Sequence, residues 1–225
     1  MVPRLWGNVK TLLNRTYRHI CSEYKKLYFS RKVVEAKIKL RQFTRPLKLH
    51  LGCGKVRLDG WVNIDSDSSL GTADVVWDLT RGIPVEDSSC KLVYCEHLLE
   101  HFLVEQGLLL LRECHRVLEL GGVLRVAMPS LDVLIKESYL GNWRGQDWLS
   151  WPQYQFIKTR AEMLNIAFRE WGHKWLYDQE ELHRRLKESG FKDIIDAERG
   201  ASDIDDFIGL EIRKDSLLIC EAKKE

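Results

Sequence analysis

The sequence predicts an α/β chain built on a mainly parallel sheet, and three observations carry the prediction. Short apolar runs recur, several ending at a glycine or an acid. A stretch of helical periodicity and ample length, Glu96 to Glu119, lies between two of those runs. Turns or helices, with no internal repeat, separate the rest.

The first run is Leu47 to Leu51, ending in Gly52-Cys53-Gly54. Trp61-Val62-Asn63-Ile64-Asp65 is the second and Asp74-Val75-Val76-Trp77-Asp78 the third. Lys91 to Cys95 is the fourth, and Val123 to Met128, after the turn Gly121-Gly122, is the fifth. Upstream, Val9, Leu13, Tyr17, Ile20, Tyr24 and Leu27 recur at steps of three and four, which predicts an amphipathic helix. That pattern continues to about Arg41, and Pro46 ends it. Two parts follow: a basic helical extension over 1–45 and a main domain over 46–225.

Composition bounds the rest. A chain of 225 residues, 44% apolar and 30% charged, has room for one α/β domain with additions. No apolar run approaches the roughly 18 residues of a membrane span, and the N-terminus lacks the apolar core of a secretory signal. Six cysteines without C-x-x-C pairs point to reduced thiols and a cytoplasmic location. The net charge of +2 hides an asymmetry. Residues 1–48 hold 13 Lys/Arg against two acids, and the remainder holds 22 against 31. Such an arm either adheres to an anionic surface, the inner membrane face or nucleic acid, or docks by its apolar stripe with its lysines in water.

In parallel sheets, ligands sit outside the carboxyl ends of the strands. Here those ends read Gly52-Cys53-Gly54, Asp65, Asp78 and Glu96. Each suits a nucleoside cofactor with an amino-acid tail. Glycines admit close backbone approach, and an acid after the second strand can accept both ribose hydroxyls. An acid after the third can receive an adenine amino group, and Glu96 lies where a cationic amine needs a partner. Taken singly, the glycines make a tight turn and the acids make helix caps.

The runs LHLGCGKVRLDGWVNID, VVWDLTRGIPVEDSSCKLVYCEHLLEHF and LLRECHRVLELGGVLRVAMPS resemble the class I S-adenosylmethionine-dependent methyltransferases. They are most similar to predicted methyltransferases associated with cell-surface glycan genes. Leu79, Ile83, Pro84 and Asp87 match that group's loop before the fourth strand, and Arg116-Val117-Leu118 its turn into the fifth. His173 to Phe191 resembles its late helix and Asp215 to Ala222 its last strand, so the resemblance spans roughly 46–223. It implies a Rossmann-like sheet of about seven strands and S-adenosylmethionine as cofactor. Gly52, Cys53 and Gly54 would line the methionine part and Asp65 would bind the ribose. Asp78 and Leu79 would flank the adenine. A dinucleotide is excluded because the third glycine of G-x-G-x-x-G is replaced by Arg57. Only 13 residues separate Gly52 from Asp65, so a turn at Leu58-Asp59-Gly60 must stand in for the usual crossover helix. His50 occupies a position where the family commonly has Asn or Asp.

The stretch Cys95 to Phe102 also spells H-x-x-E-H over His97 to His101, an inverted zinc-protease motif. If it opens a helix, His97 and His101 share a face with Glu100 nearby. A third ligand would have to come from elsewhere, and nothing in the sequence singles out Glu162 or Glu170. No metal is therefore expected, and the stretch reads as the end of strand four beside the cofactor. His97 then looks toward the acceptor as the first candidate for a general base, with His173 the second. Between Leu131 and Tyr177 lies an insertion holding five of the eight tryptophans, either an aromatic lid over a sugar or lipid or a small core of its own.

The expected function is methyl transfer to a glycan-related or other small acceptor, with residues 1–45 touching a membrane. The rival is a non-catalytic module that keeps the fold and uses the arm to attach to a partner. An RNA methyltransferase ranks lower, because no RNA-binding domain and no Asn-Pro-Pro-Tyr-type motif is present, so nucleic acid is not an expected partner.

Overall fold

The computed structural model describes residues 30–225. The amphipathic stripe from Val9 to Leu27 lies outside the described residues. A helix, α1, runs over 30–40 and buries Ala36 and Leu40 in the main core. This part of the predicted extension is thus packed into the domain.

The sheet has seven strands: β1 (Leu47–Leu51), β2 (Val62–Asp65), β3 (Val75–Val76), β4 (Cys90–Glu96), β5 (Leu118–Met128), β6 (Asp193–Asp196) and β7 (Leu218–Lys223). Their spatial order is β3-β2-β1-β4-β5-β7-β6. The first five are parallel, and β7 runs antiparallel to both β5 and β6. This is the Rossmann-like, mainly parallel sheet of seven strands expected from the sequence.

Alternate positions on the strands feed two layers. Leu47, Leu49, Leu51, Val93, Cys95, Leu124 and Val126 enter the main core. There they meet Leu110, Leu111, Cys114 and Val117 of α2 (Val104–Val117) and Leu182 and Leu186 of α5 (Gln179–Glu188). Each fully buried leucine contributes about 1.5–3 kcal/mol. The opposite parity carries a polar row across the sheet, Asn63-His50-Tyr94-Arg125-Glu221, in direct register from β2 to β7. Every member is buried. Instead of a helix, loops cover it, through Leu58, Trp61, Ile204, Phe207 and Leu210.

Asn63 explains how β1 and β2 join without a helix. Its amide nitrogen donates to Leu58 O at 3.0 Å and Trp61 O at 3.1 Å, and its oxygen accepts from Leu58 N at 2.9 Å. The buried amide thus closes the turn that the spacing predicts. Arg116, at the end of α2, does comparable work on the loop before β4. It donates to Ile83 O and Val85 O, both at 2.9 Å, and to Asp87 at 2.6 Å.

The insertion is built of short helical segments. It begins with α3 (Leu131–Val133), which continues as a π-helical segment (Leu134–Tyr139), and it includes α4 (Arg160–Arg169). Trp143, Tyr154, Ile157 and Met163 form a core of their own. Trp151, Trp171 and Trp175 stay partly exposed, so the segment is both a small core and an aromatic surface.

Candidate functional site

The carboxyl ends of β1 and β2 meet at one loop. Gly52 N and Cys53 N donate to Ile64 O at 2.8 and 3.2 Å, which ties the glycine loop to the second strand. Gly52 has φ 67°, and a Cβ there would stand 2.6 Å from Leu98 Cδ1. The positive φ favours glycine, and a side chain there would also push Leu98 aside. Gly54 has φ 51° and nothing within 4 Å of its would-be Cβ, so the lip of the loop is open. Asp65 accepts from Gly54 N at 2.8 Å through one oxygen and from Asp67 N at 2.9 Å through the other. Cys53 is buried beside Thr72, and burial pushes its thiol up.

Asp78 caps the 3-10 turn Leu79–Arg81, accepting from Thr80 N at 3.0 Å and Thr80 Oγ1 at 2.7 Å. Although burial acts the other way, those bonds hold its carboxyl below the usual range. Leu79 is in the main core. Glu96 accepts from Ser216 Oγ at 2.7 Å and Arg213 N at 3.1 Å on one oxygen. Its other oxygen takes only a long 3.4 Å bond from Ile212 N. Glu96 therefore latches the loop before β7 over the end of β4, a task the sequence did not reveal.

The H-x-x-E-H stretch does not open a helix. His97 has φ 50°, which breaks the chain direction at the end of β4, and its N–H donates to Ala127 O at 2.9 Å. A single 3-10 turn, Leu99–His101, follows before α2. His97 and His101 are therefore not on one helical face. His97 is buried, with Nδ1 3.4 Å from Glu100 Oε1 and Nε2 3.6 Å from Asp215 Oδ1. Burial lowers its pKa to about 4, so it is neutral at pH 7. Glu100 is 1% exposed, and neither carboxylate oxygen has a hydrogen-bond partner. Desolvation raises its pKa to about 8.

The fold brings His173 to this stretch. Its ring centroid lies 5.3 Å from that of His101, and its side chain faces the 97–101 turn from the far end of the insertion. Lys174 N and Trp175 N donate to Glu100 O at 2.8 and 3.2 Å, which fixes the approach. Sequence reasoning named His173 but did not join it to Glu100 and His101, because their adjacency depends on how the insertion returns. A separate surface cleft, lined by Gln42, Arg45, Lys48, Gly60, Lys91 and Asp206, lies at the amino ends of the strands, the wrong end of a parallel sheet for a ligand.

No helix among the described residues is long and apolar enough to cross a membrane. No curated protein sequence matches the chain. Among solved structures, a SAM-dependent methyltransferase from Thermotoga maritima is 12% identical with TM-score 0.45, over 93% of this chain and 98% of that one. A SAM-dependent methyltransferase from Archaeoglobus fulgidus is 15% identical with TM-score 0.47, over 79% and 85%. Phosphoethanolamine N-methyltransferase 2 from Haemonchus contortus, solved with S-adenosylhomocysteine, is 13% identical with TM-score 0.47, over 87% and 52%. Residues 63–126 match the family model described as a methyltransferase domain. That matched segment runs from β2 to β5, inside the seven-strand sheet.

Proposed function

We propose that this chain transfers a methyl group from S-adenosylmethionine to a small acceptor, and that the acceptor is a hydroxyl of glycan type. The observation that carries the reading is the Gly52–Gly54 loop held against the Asp65 carboxylate at the ends of β1 and β2. Its open lip at Gly54 suits a cofactor without a pyrophosphate. When bound, the cofactor supplies an activated methyl group that an acceptor takes by in-line displacement. Such a step depends more on positioning than on covalent help.

In this reading Asp65 accepts the ribose hydroxyls with the lone pairs that Gly54 and Asp67 leave over. Gly52, Cys53 and Gly54 line the methionine part, and Asp78 and Leu79 flank the adenine. The less-bonded oxygen of Glu96 meets the cofactor's amine. His97 stands on the acceptor side, and with a pKa near 4 it is a weak base at pH 7. Its part is to orient the acceptor hydroxyl. Residues 1–45, with their excess of bases, hold the chain at an anionic membrane face where such acceptors are found.

Titration calorimetry of the full chain with S-adenosylmethionine and S-adenosylhomocysteine tests the reading beside Asp65→Ala. We expect micromolar binding, on the order of −8 kcal/mol, weakened at least about tenfold in the variant. A folded wild-type protein that binds neither ligand would instead favour the non-catalytic binding module.

A further inference from the structure

Two groups of metal-ligating side chains occur among the described residues: Glu100, His101 and His173, and separately His183, Asp196 and Cys220. The second is internally satisfied. Asp196 accepts from His183 Nε2 at 2.7 Å and from the Cys220 thiol at 3.3 Å. The first is not, and the two groups differ in every respect that matters to a cation.

Glu100 is the anomaly. A carboxyl group 1% exposed with neither oxygen hydrogen-bonded is unstable in either protonation state. Ionised, it is a bare charge in a medium that cannot solvate it. Protonated, it leaves an O–H without an acceptor. His97 Nδ1, 3.4 Å from Oε1, does not make a hydrogen bond to it. Native proteins keep such a group only where something else completes it.

The two imidazoles are oriented for that something. His173 Nδ1 lies 2.9 Å from Ala167 O and must donate to it, because a carbonyl only accepts. In the neutral ring its Nε2 is then the lone-pair nitrogen. His101 lies against the Gly172 backbone. Its Nδ1 is the atom nearest the Cβ position of Gly172, while its Nε2 faces Glu100 Oε1 at 4.0 Å. His173 thus spends Nδ1 on a backbone carbonyl, and His101 turns Nε2 toward Glu100. Metal-bound histidines are held in this way, which fixes the tautomer and raises the basicity of the ligating nitrogen.

The three ligand atoms lie within 4.8 Å of one another. Bonds of about 2.0–2.1 Å at tetrahedral angles place ligand atoms about 3.3 Å apart, so side-chain rotation of roughly an ångström completes the site. The backbone around it is held in costly conformations. Trp171 (φ 58°) and His97 (φ 50°) are both left-handed without being glycine. Such residues cost on the order of 1–3 kcal/mol each and persist where the surroundings over-determine them.

We propose that Glu100, His101 and His173 bind a divalent first-row transition-metal ion, with at least one coordination position left for an oxygen ligand. Two imidazoles and a carboxylate are the donor set of open zinc sites and of related iron and cobalt centres. Magnesium, which prefers oxygen ligands and keeps its waters, is a poor match. The inference rests on this cluster alone and stands whether or not the methyl-transfer reading does.

The test is Zn²⁺ titration of chelator-treated full-length protein by calorimetry, with Co²⁺ absorption as a second reporter of coordination. We expect one equivalent of Zn²⁺ with micromolar or tighter affinity, unaffected by millimolar Mg²⁺. The Co²⁺ form should show the visible bands of four- or five-coordinate nitrogen and oxygen ligation. His173→Ala and Glu100→Gln, each checked for folding by circular dichroism, should weaken binding at least about tenfold, whereas His183→Ala should not. Because His173 is a half-buried residue of the insertion, its variant keeps the test informative if Glu100→Gln fails to fold. Undiminished binding in folded His173→Ala, loss only in His183→Ala, or no binding by the wild type would each overturn the proposal.

Discussion

His50 Nδ1 donates to Asn63 Oδ1 at 3.1 Å, joining neighbouring positions of β1 and β2 inside the polar row. Burial lowers the pKa of His50, so the ring is a neutral donor there and costs no charge. The same Asn63 oxygen accepts from Leu58 N, so one side chain joins the short crossover to the strand that ends in the glycine loop. His50 is therefore held in place by its neighbour on β2.

Asn63→Ala should destabilise the chain by about 3 kcal/mol, because it leaves the Leu58 and Trp61 backbone groups unpaired in a buried turn. For a domain of this size that is a fall in Tm on the order of 10 °C by scanning calorimetry. Asn63→Asp should not rescue it. A carboxylate would then stand where the amide nitrogen donates to Asp74 Oδ2 at 3.0 Å.

Arg125 is fully buried and bonds to Glu211 at 2.6 Å, to Glu221, and to Glu198 O at 3.1 Å. Arg125→Met should cost about 3–5 kcal/mol, because two buried carboxylates lose their cation. Arg125→Lys should recover little, since an ammonium cannot fork to three partners. Combining Arg125→Met with Glu211→Leu and Glu221→Leu should restore most of the loss in a denaturant titration, because no buried charge is then left unpaired.

The pKa of Glu100, raised by burial to about 8, gives a pH signature. A carboxyl held above its unfolded value contributes stability that is present below about pH 4.5 and is lost as pH rises to about 8. Glu100→Gln should therefore stabilise chelator-treated protein most at pH 8 and above, by about 4–5 kcal/mol, with little gain near pH 4.5. Melting curves at pH 4.5, 6 and 8 check this. A pH-independent difference would contradict the burial argument.

Local signals in the chain sufficed for the order of strands and loops, the turn in place of the first crossover helix, and the set of strand-end residues. Apolar runs of strand length, glycines after the first and acids after the second, third and fourth are written within a few residues of one another. The same signals placed α2 but began it too early, because the left-handed turn at His97 has no local marker in a non-glycine residue.

What the polar side chains do was settled by packing. Glu96 latches the loop before β7, Asp78 caps its own turn, and α1 packs its Ala36 and Leu40 into the core. His173 reaches Glu100 and His101 only because the insertion returns to the end of β4. The physical reason is one of range. Periodicity and turn chemistry act between near neighbours, whereas a buried carboxylate finds its partners through chain packing that no spacing in the sequence encodes.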